Sequence, residues 1–208
     1  MPKPAGRPVD RDKDRLILAT ARDILFEHGP QAVTMEAVAA QSGVSKATLY
    51  TRHSDRDQLL RAVVAAESFV FTQALESPAQ NVDDFTRALT TLITSLATFL
   101  ISTRHLRLMQ VISSPTHTTT GAKRELYRNG PQKTHDALSA YLESAATRGL
   151  IYCDKPVQSA ELLIGMMMGL DLIRASYGLM PRTKPRDKLK QHAQFIAQSF
   201  LAIHEHKD

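Results

Sequence analysis

Glycine and proline fall at intervals that leave only helix-length segments between them. No segment shows the polar–apolar alternation of period two that a half-buried strand requires. An all-α chain is predicted. Residues 1–10 form a basic arm whose prolines and Gly6 keep it extended and flexible. A first helix over 11–28 carries Ile17, Ala21, Ile24 and Leu25 on one stripe, and Gly29-Pro30 stops it. Thr34 is a good N-cap for a short second helix with Glu36 in its first turn. Met35, Val38 and Ala39 of that helix face inward, and Gly43 ends it. A third helix runs from Ser45 to about residue 52. A fourth opens in "SDRDQLL", where Asp55 with Gln58 resembles a capping box and Ser54 is a rival cap, and runs to about 76. The helices then lengthen: 82–101, 104–113, 122–148 with "RNGP" as a break or a kink within it, 156–178 and 186–205. The organisation is therefore a compact unit of short helices over 11–71 and a larger helical domain over 75–208.

Composition narrows the partners. A hydrophobic share of 43% and a charged share of 23% are those of a globular protein with a packed core. The net charge of +5 permits an anionic partner. It does not locate one, because residues 1–61 hold ten basic and eight acidic side chains and the rest 16 and 13. The single cysteine, Cys153, excludes a disulfide within the chain and suits a reducing cytoplasm. The N-terminus lacks the apolar core of a signal peptide. "LATFLI" and "LLIGMMMGL" look too short to span a bilayer. A cytoplasmic protein with no membrane partner is expected.

The informative stretch is 34–53. On a wheel of about 100° per residue, Leu49 and His53 share one side of the third helix. Ala47 and Thr51 lie opposite, flanked by Thr48 and Tyr50. Leu49 and Val44 should anchor the helix, leaving an outward face of small and polar residues: Ala47, Thr48, Tyr50 and Thr51. A helix entering a major groove needs small residues for close approach and hydrogen-bonding groups at its rim. Gly43 supplies the turn. Two short helices joined this way make a helix-turn-helix. Thr34 at an anion-binding helix start, Lys46, Tyr50 and Arg56 fall where phosphates would lie. Arg7 on the arm could reach a minor groove. Arg52 is either a further phosphate contact or solvated.

"VTMEAVAAQSGVSKATLYTRHSDRDQLL", with "ILATARDILFEHGPQAVTMEAVA" before and into it, resembles the N-terminal domain of the TetR/AcrR family of transcriptional regulators across about residues 11–65. The later helices match that family in layout only. The resemblance implies homodimers, a palindromic double-stranded DNA operator, repression relieved by a small-molecule effector, and phosphate contacts at Lys46, Tyr50 and Arg56. One position departs: the family usually has an aromatic residue, most often Phe, where this chain has His53. A packed structural histidine is expected there rather than a pH switch.

Competing chemistries are weaker. "GVSKA" is one residue short of the G-x-S-x-G nucleophile elbow, but a helix precedes Ser45 and no sheet is available to carry a triad, so no catalytic residue is assigned. The scattered histidines, including His135 beside Asp136 and the terminal "HEH", do not have metal-ligand spacing, and neither a P-loop nor a dinucleotide fingerprint occurs. No metal or cofactor is expected. "GMMMG" (165–169) places Gly165 and Gly169 on one helix face, suited to a helix interface, while Met166, Met167 and Met168 are soft fillers of a core or of an apolar ligand pocket. Phe99, Met109, Tyr127 and Tyr141 are further pocket candidates, as bulky residues on middle helices. "RTKPRDKLK" reads as a solvated loop opening the last helix, and Cys153 as incidental. The expected function is a sequence-specific DNA-binding regulator, not an enzyme, dimerising through its last two long helices. The alternative is a helical-pocket enzyme or a small-molecule-binding protein without an operator.

Overall fold

A computed structural model describes residues 11–113, 120–179 and 186–205. The arm with Arg7, residues 182–185 of the basic run, and His206 lie outside the described residues. Those described form ten α-helices and no strand: α1 (Arg11–His28), α2 (Met35–Ser42), α3 (Lys46–Arg52), α4 (Arg56–Thr72), α5 (Val82–Leu100), α6 (Thr103–Ser113), α7 (Thr120–Asn129), α8 (Pro131–Thr147), α9 (Pro156–Ser176) and α10 (Arg186–Ile203). Short 3-10 turns at Pro30–Ala32 and Gln73–Leu75 follow α1 and α4.

The N-terminal boundaries follow from local chemistry. Thr34 caps α2, its Oγ1 accepting from the Ala37 amide at 3.0 Å. Gly43 closes α2 in the left-handed region at φ 67°, where a side chain would be strained. At α4, Asp55 is the cap, its Oδ1 accepting from the Gln58 amide at 2.7 Å. Gln58 reaches back to the amide of Ser54, so Ser54 belongs to the capping arrangement without being the cap.

Two cores result. Ile17, Leu25, Val38, Leu49, Leu59 and Val63 join α1–α4 into the first. Phe85, Leu92, Leu138, Leu142, Ile196 and Phe200 tie α5, α8 and α10 into the second. Helix α4 serves both, with Leu59 and Leu60 in the first core and Phe71 in the second. Leu108 of α6 is inserted into the first core. The two units are thus joined through a shared helix and an interlocking side chain.

Three expectations need correction. The helix expected over 122–148 is two helices, α7 and α8, parted at Gly130. Pro131 has no amide proton and starts a new helix at its favoured first position. Gly130 also packs so closely on α4 that an added Cβ would stand 3.1 Å from Val64 Cγ1. Second, Gly169 does not continue a face with Gly165: at φ 34°, ψ −163° it breaks α9. Third, the run "LLIGMMMGL" belongs to a 21-residue helix that is long and apolar enough, by length and composition, to cross a membrane. In the fold that helix is bent at Gly169 and packs into the second core through Ala160, Leu163 and Met167.

Candidate nucleic-acid interface and internal cavity

Helix α3 is held from beneath and open above. Leu49 is fully buried and Val44 nearly so. Ala47, Tyr50 and Thr51 are exposed, and Thr48 is half-buried. Ser45 caps the helix, its Oγ accepting from the Thr48 amide at 3.2 Å and lying 2.9 Å from Thr48 Oγ1. The serine is thereby engaged as a cap. Thr51 Oγ1 donates to the Ala47 carbonyl at 2.8 Å, which leaves its oxygen free to accept. Lys46 Nζ stands 3.3 Å from Glu36 Oε1, with both side chains mostly exposed. The Glu36 carboxyl is held below its ordinary range by its own backbone amide at the start of α2 and then by Lys46. Such an exposed pair is weak, and a phosphate can take the glutamate's place beside the lysine.

Two arginines proposed for DNA are engaged within the protein. Arg52, mostly buried, pairs with Asp14 of α1. Arg56 Nε donates to the Val33 carbonyl at 2.8 Å, a second guanidinium nitrogen donates to the Pro30 carbonyl, and Nη1 lies 3.1 Å from Asp57. Arg52 thereby joins α3 to α1, and Arg56 joins α4 to the turn after α1. His53 is buried and terminates α3, its amide donating to the Leu49 carbonyl at 2.9 Å. Burial pushes its imidazole below the usual value; nearby Asp14 opposes that shift and Arg52 adds to it.

The second feature is a half-open cavity of about 420 Å³ between the two units. Phe99, Met109, Tyr127 and Met168 line it. The other three pocket candidates do not. Tyr141 is buried in the second core, stacked on Phe85 at 5.7 Å between ring centres, its hydroxyl without a hydrogen-bond partner among the described residues. Met167 is buried in the same core and Met166 packs against it. Three consecutive helical residues point about 100° apart, so one methionine of the triplet reaches the cavity and the others cannot.

Several cavity residues escaped the sequence reading. Leu25 and Phe26 come from α1, and Glu67 and Phe71 from α4. His105 comes from α6, three and four residues before Leu108 and Met109 on the same helix face. That spacing was the available signal. Next to the cavity, Arg104 Nη2 lies 2.6 Å from Asp23 and 3.9 Å from Glu27, with its guanidinium 5.8 Å from the Phe26 ring centre. Arg22 lies 3.8 Å from Glu67. Helix α6 is therefore fastened to α1 by charge on the surface and by Leu108 beneath. Burial raises the Glu67 carboxyl above its ordinary value, with Arg22 and Arg104 acting against that rise and Asp23 reinforcing it.

A helix-turn-helix with an open polar face, joined to a second helical domain, defines a DNA-binding transcriptional regulator. Residues 17–63 match the N-terminal domain of the bacterial regulatory proteins of the TetR family, and residues 87–205 match the C-terminal domain of AefR-like transcriptional repressors. The chain belongs to the TetR family, whose regulators bind DNA and small-molecule effectors and act as dimers. It is 36% identical over 97 residues to the HTH-type transcriptional regulator YdeS of Bacillus subtilis (strain 168), a match covering 47% of this chain and 46% of that relative. Solved structures share the fold. A TetR-family regulator from Mesorhizobium loti superposes at TM-score 0.67 with 23% identity, covering 96% of this chain and 100% of its own. The flavonoid-responsive regulator FrrA does so at 0.67 with 22% identity, covering 95% and 100%. The SmeT–triclosan complex does so at 0.65 with 21% identity, covering 94% and 93%.

Proposed function

We propose that this protein is a cytoplasmic repressor that binds a palindromic operator as a homodimer and releases it when a small apolar or amphipathic molecule occupies the cavity between its two units. Phe26 of the DNA-binding unit and Phe99 of the second domain line the same cavity, and this carries the reading. An occupant touches both, so it can favour one relative placement over the other and shift the population between them. FrrA is named as flavonoid-responsive and SmeT was solved with triclosan, which supports a small-molecule effector for this fold.

Lys46, Tyr50 and Thr34 serve the DNA backbone, and Ala47, Thr48 and Thr51 approach base edges. Arg7 contributes from the arm, and Arg52 and Arg56 act mainly by bracing the reading helix. Leu162, Leu170, Ile173 and Phe195 are exposed apolar residues on α9 and α10, the composition of a covered interface rather than a free surface. Pairing there sets two α3 helices about one DNA turn apart, roughly 34 Å. Selecting bound sequences from random duplex DNA with the full-length protein tests this. Recovery of an inverted repeat is expected, with a changed preference for Thr51→Val. Absence of any enriched palindrome would overturn the operator reading.

A further inference from the structure

The polar groups around the cavity are unevenly satisfied. Its floor is apolar, with Leu25, Phe26, Phe71 and Leu96 buried there. The rings of Phe26 and Phe99 meet edge to face at 5.7 Å, and Phe71 lies 4.9 Å from Phe99. Ser68 Oγ donates to the carbonyls of Val64 at 3.0 Å and Asn129 at 3.1 Å. Thr134 Oγ1 donates to that of Gly130 at 3.3 Å. Nδ1 of His105 is buried beyond the reach of an occupant. Glu67 is faced by cations from other elements: Arg22 of α1 lies 3.8 Å away, and Arg104 of α6 also acts on its charge. Lys123 of α7 differs. It is the one cation among the described residues that line the cavity, it is half-buried, and it makes no ion pair with any described residue. Tyr127, one turn further along the same face of α7, is 57% exposed. The mouth of the cavity therefore lies on the side of Lys123.

We propose that the cavity takes an ionised apolar carboxylic acid, its carboxylate beside the Lys123 ammonium at the mouth and its hydrocarbon tail against Phe26, Phe71 and Phe99. The proposal deepens, and rests on, the reading of this cavity as the effector site. A half-buried ammonium has lost part of its hydration, and without a counter-ion nothing in the wall offsets that loss. A carboxylate brought by the ligand does, through a charge-assisted hydrogen bond. The same lysine gives no such gain to a neutral ligand and repels a cationic one. Glu67 does not reverse the preference, because Arg22 and Arg104 already oppose its charge. A cavity open at one end leaves the head group in contact with water, which spares the carboxylate its full desolvation. A volume of about 420 Å³ lies within the range of small-ligand sites. Burial of the tail supplies most of the affinity, and the head group sets the class of ligand.

The test is calorimetric titration of the full-length protein with decanoate, 1-decanol and decyltrimethylammonium, each below the concentration at which it aggregates. The wild type is expected to bind decanoate more tightly than the ammonium. Lys123→Met keeps the packing of the stem and removes the charge. It is expected to weaken decanoate about fivefold and to leave 1-decanol unchanged. Lys123→Glu should weaken decanoate further, and Lys123→Arg should retain it. Equal weakening of both probes by Lys123→Met, or of neither, overturns the proposal. So does a wild type that prefers the ammonium to the carboxylate. Operator release by 1-decanol with no binding of decanoate overturns the acid class but leaves the effector cavity standing. Binding of decanoate with the expected dependence on Lys123 but without release of operator DNA upholds the ligand class and instead defeats the effector reading.

Discussion

The two cores are built from the same residue types and both are closed, Leu49 and Ile17 of the first and Phe85 and Phe200 of the second being fully buried; the seam between them is not. In the DNA-binding unit, α2, α3 and α4 each begin at a side-chain cap, and the left-handed glycine at position 43 fixes the turn between two of them. Leu49, Val38 and Ile17 are completely buried. In the second unit, α5 begins at the Asn81 cap but α8 and α9 begin at prolines without one, α9 breaks at Gly169, and a half-open cavity lies at the seam with the DNA-binding unit, lined from both. A reading helix must hold its side chains in one geometry to recognise base edges. A domain that answers a ligand needs two packings of similar free energy. Under the proposed function, the closed first core serves the first requirement and the open seam the second.

The contrast is tested most readily by one substitution in the first core and one at the seam. Leu49→Ala should cost about 2–5 kcal/mol, because the site is fully enclosed and cannot collapse around the loss. Met109→Ala, at the edge of a cavity already present, should cost under about 1 kcal/mol. Urea unfolding of both variants measures the difference, and similar losses would mean that the seam is as closed as the first core. At the reading face, Tyr50→Ala and Lys46→Ala should each weaken binding by about tenfold across all duplex sequences, and only Lys46→Ala should lower the salt slope, by about one. Thermal unfolding should be unmoved, since both side chains are largely exposed. Ser45→Ala removes the cap of α3 and should cost about 1 kcal/mol, read as a lowered unfolding midpoint with operator preference retained.

The smallest effect is a pH dependence. His53 is held below the ordinary imidazole value by burial, Asp14 opposing and Arg52 assisting. The unfolded chain therefore binds the proton first as the solution is acidified. The corresponding stability is complete above about pH 6.5 and falls as pH drops through that value toward the lower folded one. His53→Phe should flatten this slope when urea midpoints are compared at about pH 7.5 and about pH 5.5. His105 shifts in the same direction, so the wild-type minus His53→Phe difference isolates the first core. An unchanged slope would remove His53 from the account.

The helix starts of the N-terminal unit were legible in the sequence. Thr34, Gly43, Ser45 and Asp55 are local signals, each acting through hydrogen bonds or a backbone preference within four positions. The outward face of α3 followed from the helical period and one anchor, Leu49. The roles of Arg52 and Arg56 did not, because their partners lie 38 and 23 or more positions away. The same limit governed the cavity. Composition could nominate Phe99, Met109, Tyr127 and Met168, but bulk alone equally nominated Tyr141, Met166 and Met167.

By itself, then, the sequence determined the helical class, the starts of the early helices and the outward face of α3, because capping and periodicity are short-range physics. Only the tertiary structure decided that Phe26 of the first unit faces Phe99 and His105 of the second, and that Leu108 and Arg104 fasten α6 to α1. Those placements depend on how α4 and α6 cross the boundary between two cores, and the free energy that fixes them comes from packing between residues distant in the chain.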